Sequence, residues 1–469
     1  MMVKIIELFL NGISLFFLVY LILYTTYLFI SVLVGALKLY KEEQKTLIRN
    51  QIKHEYYVPV SILVPAYNEE VTIVDSIQSL LRLDYQLYEI IIINDGSSDQ
   101  TVAKLLQAFP FHHVNRPIHR VLSCQQEKQI YEAKVGHVEM TLIDKINGGK
   151  GDSLNMGINV SRYPYFLCID ADSLLQKDSL EKIVRPVLEN DQVVAVGGMI
   201  RVAQCVEIKD GEIVGYQLPF HFITSMQVVE YDRSFLASRI LMDQYNGNLI
   251  ISGAFGLFKK DVAIAAGGYD QTTLGEDMEL VVKLHVFCRN NQRPYLICYE
   301  PNAVCWSQVP STLRDLMKQR RRWYLGLFQV MTSYSHIFLN FRFGLVSFFS
   351  YMYYLLFELL APMVEVLGIL TVLIAGLFGL LNVPFMIRFL MLYMLYGIVL
   401  TITAFFQRIY TQHLKVSIMD MIKAIMMCIF EGVFLRYVLS FVRVSAFFGY
   451  HHKKNNWGSI KRVKQGEFH

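Results

Sequence analysis

Two aspartates separated by one residue, Asp170-Ala-Asp172, close the apolar run Tyr165-Phe-Leu-Cys-Ile. On an extended strand alternate side chains point the same way, so the pair can reach one cation together. Carboxylate oxygens are hard ligands, suited to Mg²⁺ or Mn²⁺ holding a diphosphate, although a solvated Asp-Ala-Asp loop is common. Upstream, Gly148-Gly149-Lys150-Gly151 precedes a helix-compatible stretch. Paired glycines let backbone N–H groups and a lysine approach a diphosphate; the plainer alternative is a glycine loop with one solvated lysine. Downstream, Gly275-Glu276-Asp277 opens a helix. Asp277 there is either an ordinary partner of the helix dipole or a general base for a hydroxyl.

Three further segments carry suitable side chains. Ala66-Tyr67-Asn68-Glu69 and Asp95-Gly96-Ser97-Ser98-Asp99 each follow an apolar run. An acid or amide in such loops can accept a ring N–H and Tyr67 can stack on a base, while Asp-Gly-Ser-Ser alone is an ordinary turn. Ile250-Ile-Ser252-Gly253-Ala-Phe255-Gly256 is a small-residue turn that lets a bulky ligand near the backbone. In the last segment, Thr312 with Asp315 fits a capping box. Helical spacing then puts Gln319, Arg322 and Trp323 on one face, with Arg320 and Arg321 projecting elsewhere. Such a face suits a diphosphate and a sugar ring, or lipid phosphates.

The elements that must position these residues follow from pattern. Val60–Pro65 and Glu89–Asn94 are expected strands, with a helix over Glu70–Leu83 between them. Strand, helix, strand is the unit of a parallel sheet, and ligands bind such sheets at the carboxyl ends of the strands. Val206–Leu218 reads as a hairpin turning at Asp210-Gly211.

Composition limits the whole. The chain has 469 residues, 44 Lys+Arg against 40 Asp+Glu, 54% hydrophobic and only 18% charged residues, and a mean hydropathy of +0.35. A net charge of +4 is too near balance for nucleic acid to be the main partner. Disorder and small disulfide scaffolds are excluded, and a membrane protein with a sizeable polar domain is indicated. Seven scattered cysteines form no CxxC pair and read as reduced thiols.

Gly12–Leu37 carries no charge and suits a transmembrane helix. Lys38, Lys41, Lys45, Arg49 and Lys53 follow it, which places the following domain in the cytoplasm. Gly344–Leu360 reads as an aromatic lead-in bending at Pro362. Val366–Ile387 and Phe389–Gln407 form a hairpin around Asn382-Val383-Pro384. Ser417–Tyr450 is apolar but charged in places, and fits a polar-faced span, a re-entrant pair or an interfacial helix. Glu358, Glu365 and Glu431 sit within apolar helices, where they bond neighbouring helices or line a wet path. The basic tail (Lys453, Lys454, Lys461, Arg462, Lys464) favours a cytoplasmic C-terminus and an odd number of crossings.

Singly these motifs are weak, but their order is specific. Pro-Ala-Tyr-Asn-Glu, Asp-Gly-Ser, Gly-Gly-Lys-Gly-Asp-Ser-Leu-Asn, Asp-Ala-Asp, Gly-Glu-Asp and Gln-Arg-Arg-Arg-Trp succeed one another ahead of membrane helices. The set resembles the processive family-2 membrane glycosyltransferases, which include cellulose, mixed-linkage β-glucan, poly-N-acetylglucosamine and hyaluronan synthases. The resemblance implies an α/β GT-A (nucleotide-diphospho-sugar transferase) cytoplasmic domain inserted between transmembrane and interfacial helices. The implied divisions are a helix over 1–40, the GT-A domain over 41–310, interface helices over 311–343, membrane helices over 344–450 and a basic tail over 451–469.

Carried over by position, the resemblance implies that Tyr67, Glu69 and Asp95 hold the uridine of a UDP-sugar, and that Lys150, Gln319 and Arg322 contact its diphosphate. Asp170 and Asp172 would organise the donor and a Mg²⁺ or Mn²⁺ ion. Asp277, with Glu276 beside it, would form the catalytic centre, and Trp323, Ser252, Gly253 and Phe255 would line the acceptor. The implied partners are a UDP-sugar, a growing polysaccharide, membrane lipids and a cell-envelope export apparatus. UDP-glucose and a β-glucan are the expected donor and product. The alternatives are poly-N-acetylglucosamine or hyaluronan-type synthesis, or transfer of single sugars to a polyprenyl phosphate. Gly275 departs from the Thr, Ser or Phe usual before Glu-Asp in these enzymes, which puts the terminus-sensing role of that residue in doubt. No segment for a regulatory nucleotide-binding domain is evident, so second-messenger control of the cellulose-synthase type is not expected.

Overall fold

A computed structural model describes residues 2–49, 57–209, 212–219, 221–411 and 417–448. The basic tail and the Asp210-Gly211 turn lie outside the described residues. Among the described residues twelve strands form: β1 (Val60–Ala66), β2 (Tyr88–Asn94), β3 (His112–Val114), β4 (Glu127–Val135), β5 (Val138–Lys145), β6 (Tyr165–Ile169), β7 (Leu174–Leu175), β8 (Val193–Val202), β9 (Val206–Lys209), β10 (Glu212–Tyr216), β11 (Phe255–Lys259) and β12 (Leu296–Ser307). Ten of them make one mixed sheet in the order β3-β4-β5-β2-β1-β6-β11-β8-β12-β7, and β9 pairs with β10 in the expected hairpin.

Near-continuous apolar strands such as Tyr88-Glu-Ile-Ile-Ile-Ile-Asn94 belong in the middle of a sheet covered on both faces. β1 pairs in parallel with β2 and β6, and β2 with β5, so Ala66, Asn94, Lys145 and Ile169 all end at one edge. β11 runs antiparallel beside β6 with Phe255 opposite Ile169, which brings the turn before it to that same edge. The loops after β1, β2, β5 and β6 and the turn before β11 therefore emerge at the carboxyl rim.

The helix after β1 is shorter than expected, Ile73–Leu81. Its would-be first turn is held by the neighbouring loop instead. Glu70 N donates to Asp99 Oδ2 (3.1 Å), and Gln100 N donates to Glu70 Oε2 (3.1 Å). A connector helix, Leu313–Ser333, leaves the sheet after β12 and carries Gln319 to Trp323. The expected cap is present, with Asp315 N donating to Thr312 Oγ1 at 3.2 Å.

Among the described residues two helices are long and apolar enough to cross a membrane, Gly12–Lys41 and Met386–Thr403. Val346–Leu359 and Ala361–Leu377 form a further pair bent by 43°, close to the bend expected at Pro362. The turn of the hairpin falls earlier than the sequence implied, between Ala361–Leu377 and Val383–Thr411. Gly379 adopts φ +65° and Leu380 N bonds back to Ala375 O (2.9 Å), closing the first helix. Pro384 then sits in the first turn of the second helix, where its missing N–H is harmless.

Of the acids expected within apolar helices, Glu365 and Glu431 bond other helices and Glu358 bonds within its own. Arg233 grips Glu431 with both terminal nitrogens at 3.1 Å, and Arg436 Nε donates to Glu365 at 2.6 Å. Tyr353 Oη donates to Glu358 at 2.9 Å.

The N-terminal helix packs tightly at one point. A Cβ on Gly35 would lie 2.3 Å from the Leu236 carbonyl oxygen, whereas one on Gly12 would meet nothing within 4 Å. Gly35→Val is therefore expected to destabilise by about 1–3 kcal/mol through overpacking, with Gly12→Val near neutral. Thermal melting of both variants in the same detergent checks this; equal melting temperatures would contradict the packing.

Candidate active site

One wall of the cleft is built from two loops zipped together at the ends of β1 and β2. Asn68 sits at φ +56°, a left-handed conformation that asparagine tolerates better than most residues. Its backbone N donates to Ser97 Oγ (2.9 Å) and its Oδ1 accepts from Ser98 N (2.8 Å). Tyr67 is left 53% exposed on this wall. Glu69 Oε2 accepts from Thr72 Oγ1 (2.9 Å).

Asp95 behaves differently from the expected uridine ligand. It is buried, and its oxygens accept from Gly148 N (2.9 Å), Gly149 N (2.8 Å) and Asn147 Nδ2 (3.1 Å), as well as from Lys145 Nζ. Lys145 itself is 0% exposed and also meets Asp152 at 2.6 Å. In this structure Asp95 holds the glycine loop rather than facing an open site. Gly149 takes φ +92°, so a side chain there would be strained. The loop hands the chain directly into the helix Lys150–Val160.

Lys150 is the meeting point of the acids. Its Nζ lies 2.5 Å from Asp170 Oδ1 and 3.6 Å from Glu276 Oε1. Burial works against its charge, but Asp170, Glu276 and Asp277 together raise its pKa further. Asp277 sits in the first turn of the helix Glu276–Asn290, its Oδ2 accepting from Gly253 N (3.2 Å) and its Oδ1 from Met278 N (2.8 Å). Burial pushes Glu276 up from the ordinary 4.5 to about 7 and Asp277 adds to the shift, while Lys150 and Arg322 oppose it. Arg322 thus reaches this cluster electrostatically from the connector helix.

Two expectations need correction. Asp170 and Asp172 do not continue the strand: β6 ends at Ile169 and Ser173 N donates to Asp170 O (3.0 Å), closing a turn. Asp170 faces Lys150, while Asp172 is buried and lines a neighbouring cleft with Thr72, Asp75, Ser76 and Gln308. Phe255 is 0% exposed, so it belongs to the core and does not line the acceptor. Its ring occupies the space a Cβ on Gly198 would need (2.1 Å). Ser252 and Gly253 do stay at the rim. A Cβ on Gly253 would sit 2.9 Å from Lys150 Nζ, which explains glycine there.

Among the described residues no group of three or more His, Cys, Asp or Glu side chains could hold a metal by itself. Asp170, facing the Lys150 cluster, supplies one hard carboxylate, while Asp172 lines the neighbouring cleft. A single carboxylate of this kind fits a Mg²⁺ or Mn²⁺ ion taking its other ligands from phosphates and water, and does not fit an all-protein cage.

On the connector helix, Gln319 Oε1 is buried with no hydrogen-bond partner among the described residues. Trp323 is 41% exposed, with the Arg320 guanidinium over its ring at 4.4 Å. Arg320 continues to Glu230 (2.7 Å) and Arg321 to Ser445 (2.9 Å), away from the acids as the spacing implied. Lys145, Asp152, Asn147 and Gln329 were not singled out in the sequence. Only the position of Lys145, at the end of an apolar strand and just before the glycines, hinted at a role.

The profile described as glycosyl transferase family 2 matches residues 61–262, and that of glycosyl transferase family group 2 matches residues 165–407. The poly-beta-1,6-N-acetyl-D-glucosamine synthase of Staphylococcus epidermidis is 31% identical over 318 residues, covering 66% of each chain. The synthase of the same name in Staphylococcus aureus is 32% identical over 274 residues, 58% of this chain and 55% of that one. The chain thus aligns with just under two thirds of the length of the first of these relatives. Similar solved structures include a mannosyltransferase of Pyrobaculum calidifontis with GDP-Man and Mn²⁺ (17% identity, 89% of this chain and 99% of that one, TM-score 0.49). S. aureus TarS 1–349 with UDP-GlcNAc is 13% identical, covers 58% of this chain and 67% of that one, and has a TM-score of 0.34.

Two outcomes follow from the buried charges. Lys145→Met leaves Asp95 and Asp152 buried without their cation, an expected loss of about 3–5 kcal/mol in stability that denaturant or thermal unfolding would register. Glu276 has a folded-state pKa above its unfolded value, so its protonated form favours folding below about 4.5 and that advantage disappears as pH rises through about 7. Relative to Glu276→Gln, the wild type should lose roughly 3 kcal/mol of stability between about pH 4.5 and pH 8. Melting curves that run parallel across that interval would refute the shift.

Proposed function

Because this chain belongs to glycosyl transferase family 2, we propose that it is a processive, inverting UDP-sugar transferase that builds a β-linked polysaccharide at a membrane. In place of the β-glucan expected from the sequence, we take UDP-N-acetylglucosamine as donor and a poly-β-1,6-N-acetylglucosamine as product. The names of the relatives at 31–32% identity favour that alternative and give no support to UDP-glucose. The observation that carries the reading is the convergence of Lys150, Asp170, Glu276 and Asp277, with Arg322 acting on the same cluster.

The chemistry these residues support is a single displacement. The Asp277 carboxylate takes the proton of the acceptor hydroxyl, the hydroxyl oxygen bonds to the anomeric carbon from the face opposite the diphosphate, and UDP departs with the bonding pair. Lys150 and Arg322 oppose the negative charge that gathers on the leaving diphosphate. Burial favours the protonated form of Glu276, which lessens its repulsion of Asp277. A divalent cation held at Asp170, with Asp172 in reach only after a change of rotamer, would supply further charge neutralisation on the diphosphate. Tyr67 and Glu69 face the nucleoside. Trp323 offers its open ring face to an acceptor sugar, with Gln319, Ser252 and Gly253 beside it.

The catalytic domain would lie on the cytoplasmic side, with Gly12–Lys41, Met386–Thr403 and the bent pair as multiple membrane passes. The growing polymer would leave between them toward the cell envelope.

The test uses the full-length protein in detergent or nanodiscs with radiolabelled UDP-GlcNAc, UDP-glucose or UDP-GlcUA and Mg²⁺ or Mn²⁺. Polymer should form from UDP-GlcNAc and be degraded by a β-1,6-specific N-acetylglucosaminidase. Asp277→Asn should lower the rate by about 10²–10⁴-fold, the span of general-base contributions. Production of only free monosaccharide or a single-sugar lipid would overturn processivity, and polymer from UDP-glucose alone would overturn the donor.

A further inference from the structure

The residues ahead of the catalytic acids are tied to the connector helix at a place the transferase chemistry does not itself use. Gln329 is buried, and its Oε1 accepts from Leu274 N (2.8 Å) and from Thr273 Oγ1 (3.2 Å). Thr273 Oγ1 in turn accepts from Gly275 N (3.2 Å). One side-chain oxygen on the connector helix thus organises the three residues that lead into Glu276-Asp277. Less than one turn away the two backbones nearly touch, since a Cβ on Gly326 would fall 2.8 Å from Gly275 N. Tyr334 Oη adds a further tie to Glu279 Oε1 (2.6 Å).

Helical spacing turns these contacts into a register. Gln319, Arg322, Gly326 and Gln329 fall on one stripe of the connector helix, so the clamp and the site residues share a face. Lys150 and Asp170 stand on other elements and make no part of the clamp. We infer that Gln329 is a positioning residue that fixes the helix bearing Gln319, Arg322 and Trp323 against the turn bearing Asp277, and so aligns the acceptor with its base.

This inference rests on the polysaccharide-synthase reading and predicts a particular fault. Without the clamp the donor still binds, but the acceptor is misaligned, and misplacement of about 1 Å can lower a rate by about 10²-fold. Water then competes better for the donor. Full-length Gln329→Met and wild type are compared with UDP-GlcNAc and Mn²⁺, measuring UDP release, free GlcNAc and polymer separately. Expected for the variant are a fall in polymer synthesis of about tenfold or more, an unchanged KM for UDP-GlcNAc, a larger fraction of donor hydrolysed and shorter chains. Gln329→Glu, which keeps an acceptor oxygen, should recover part of the transfer. Thr273→Val removes the Thr273–Gln329 and Gly275–Thr273 hydrogen bonds but keeps that from Leu274 N, and should shift the partition the same way, which decides the matter if Gln329→Met does not fold. An unchanged ratio of hydrolysis to transfer in the folded variants overturns the positioning role. Wild type that makes no polymer overturns the function proposed above instead, so the two failures are distinct.

Discussion

The site depends on one ammonium group among acids that would otherwise repel. Asp170, Glu276 and Asp277 come from two separate elements, the turn after β6 and the start of a helix, and like charges drawn into a low-dielectric cleft oppose folding. Lys150 Nζ resolves this by sitting 2.5 Å from Asp170 and 3.6 Å from Glu276. It can reach that place because its backbone is the first residue of a helix, aimed by the glycine loop before it. The loop in turn is fixed from beneath by Asp95 and Lys145. The chain of dependence therefore runs from a buried ion pair, through a glycine at positive φ, to the cation that lets the acids converge.

The connector helix does for the membrane side what the glycine loop does for the sheet. It touches the acid helix through Gly326 and Gln329, and the helix Phe222–Arg233 through Arg320 and Glu230. It reaches the membrane lead-in through Tyr324 Oη to Leu359 O (2.6 Å) and Tyr351 Oη to Met331 O (2.6 Å). These hydrogen bonds tie the lead-in to the helix that carries Arg322 and Trp323. Arg436 with Glu365 fastens two of the apolar helices to one another, and Arg233 with Glu431 ties the helix Phe222–Arg233 to them.

Strand positions and the rim of the sheet were legible in the sequence because apolar runs ending in Gly, Asp and Asn have few alternatives. The order of the motifs was legible for the same reason. What could not be read was the partnership of each polar group. Asp95 was expected to face a ligand, yet it is turned inward by Lys145, a residue fifty positions away. Phe255 looked like part of an open turn, but its strand begins there and the ring falls on the inner face of the sheet. The alternation argument for Asp170 and Asp172 failed because the strand stops at Ile169, and a turn does not keep a period of two. Local spacing determines which side chains are neighbours on one element. It carries no information about which element will lie opposite.

Gly275 shows how a departure from a family pattern becomes intelligible only with the opposing element in place. A side chain there would press to 3.1 Å on the backbone of Gly326, so the connector helix would have to retreat by a few tenths of an ångström. Gly326 is equally intolerant in the other direction, and neither glycine has a positive φ to explain it. The two therefore form a matched pair, each absent a side chain so that the other's backbone fits. The gap between the two elements is closed by main chain, and the absence of a side chain at position 275 marks a close seat for the connector helix.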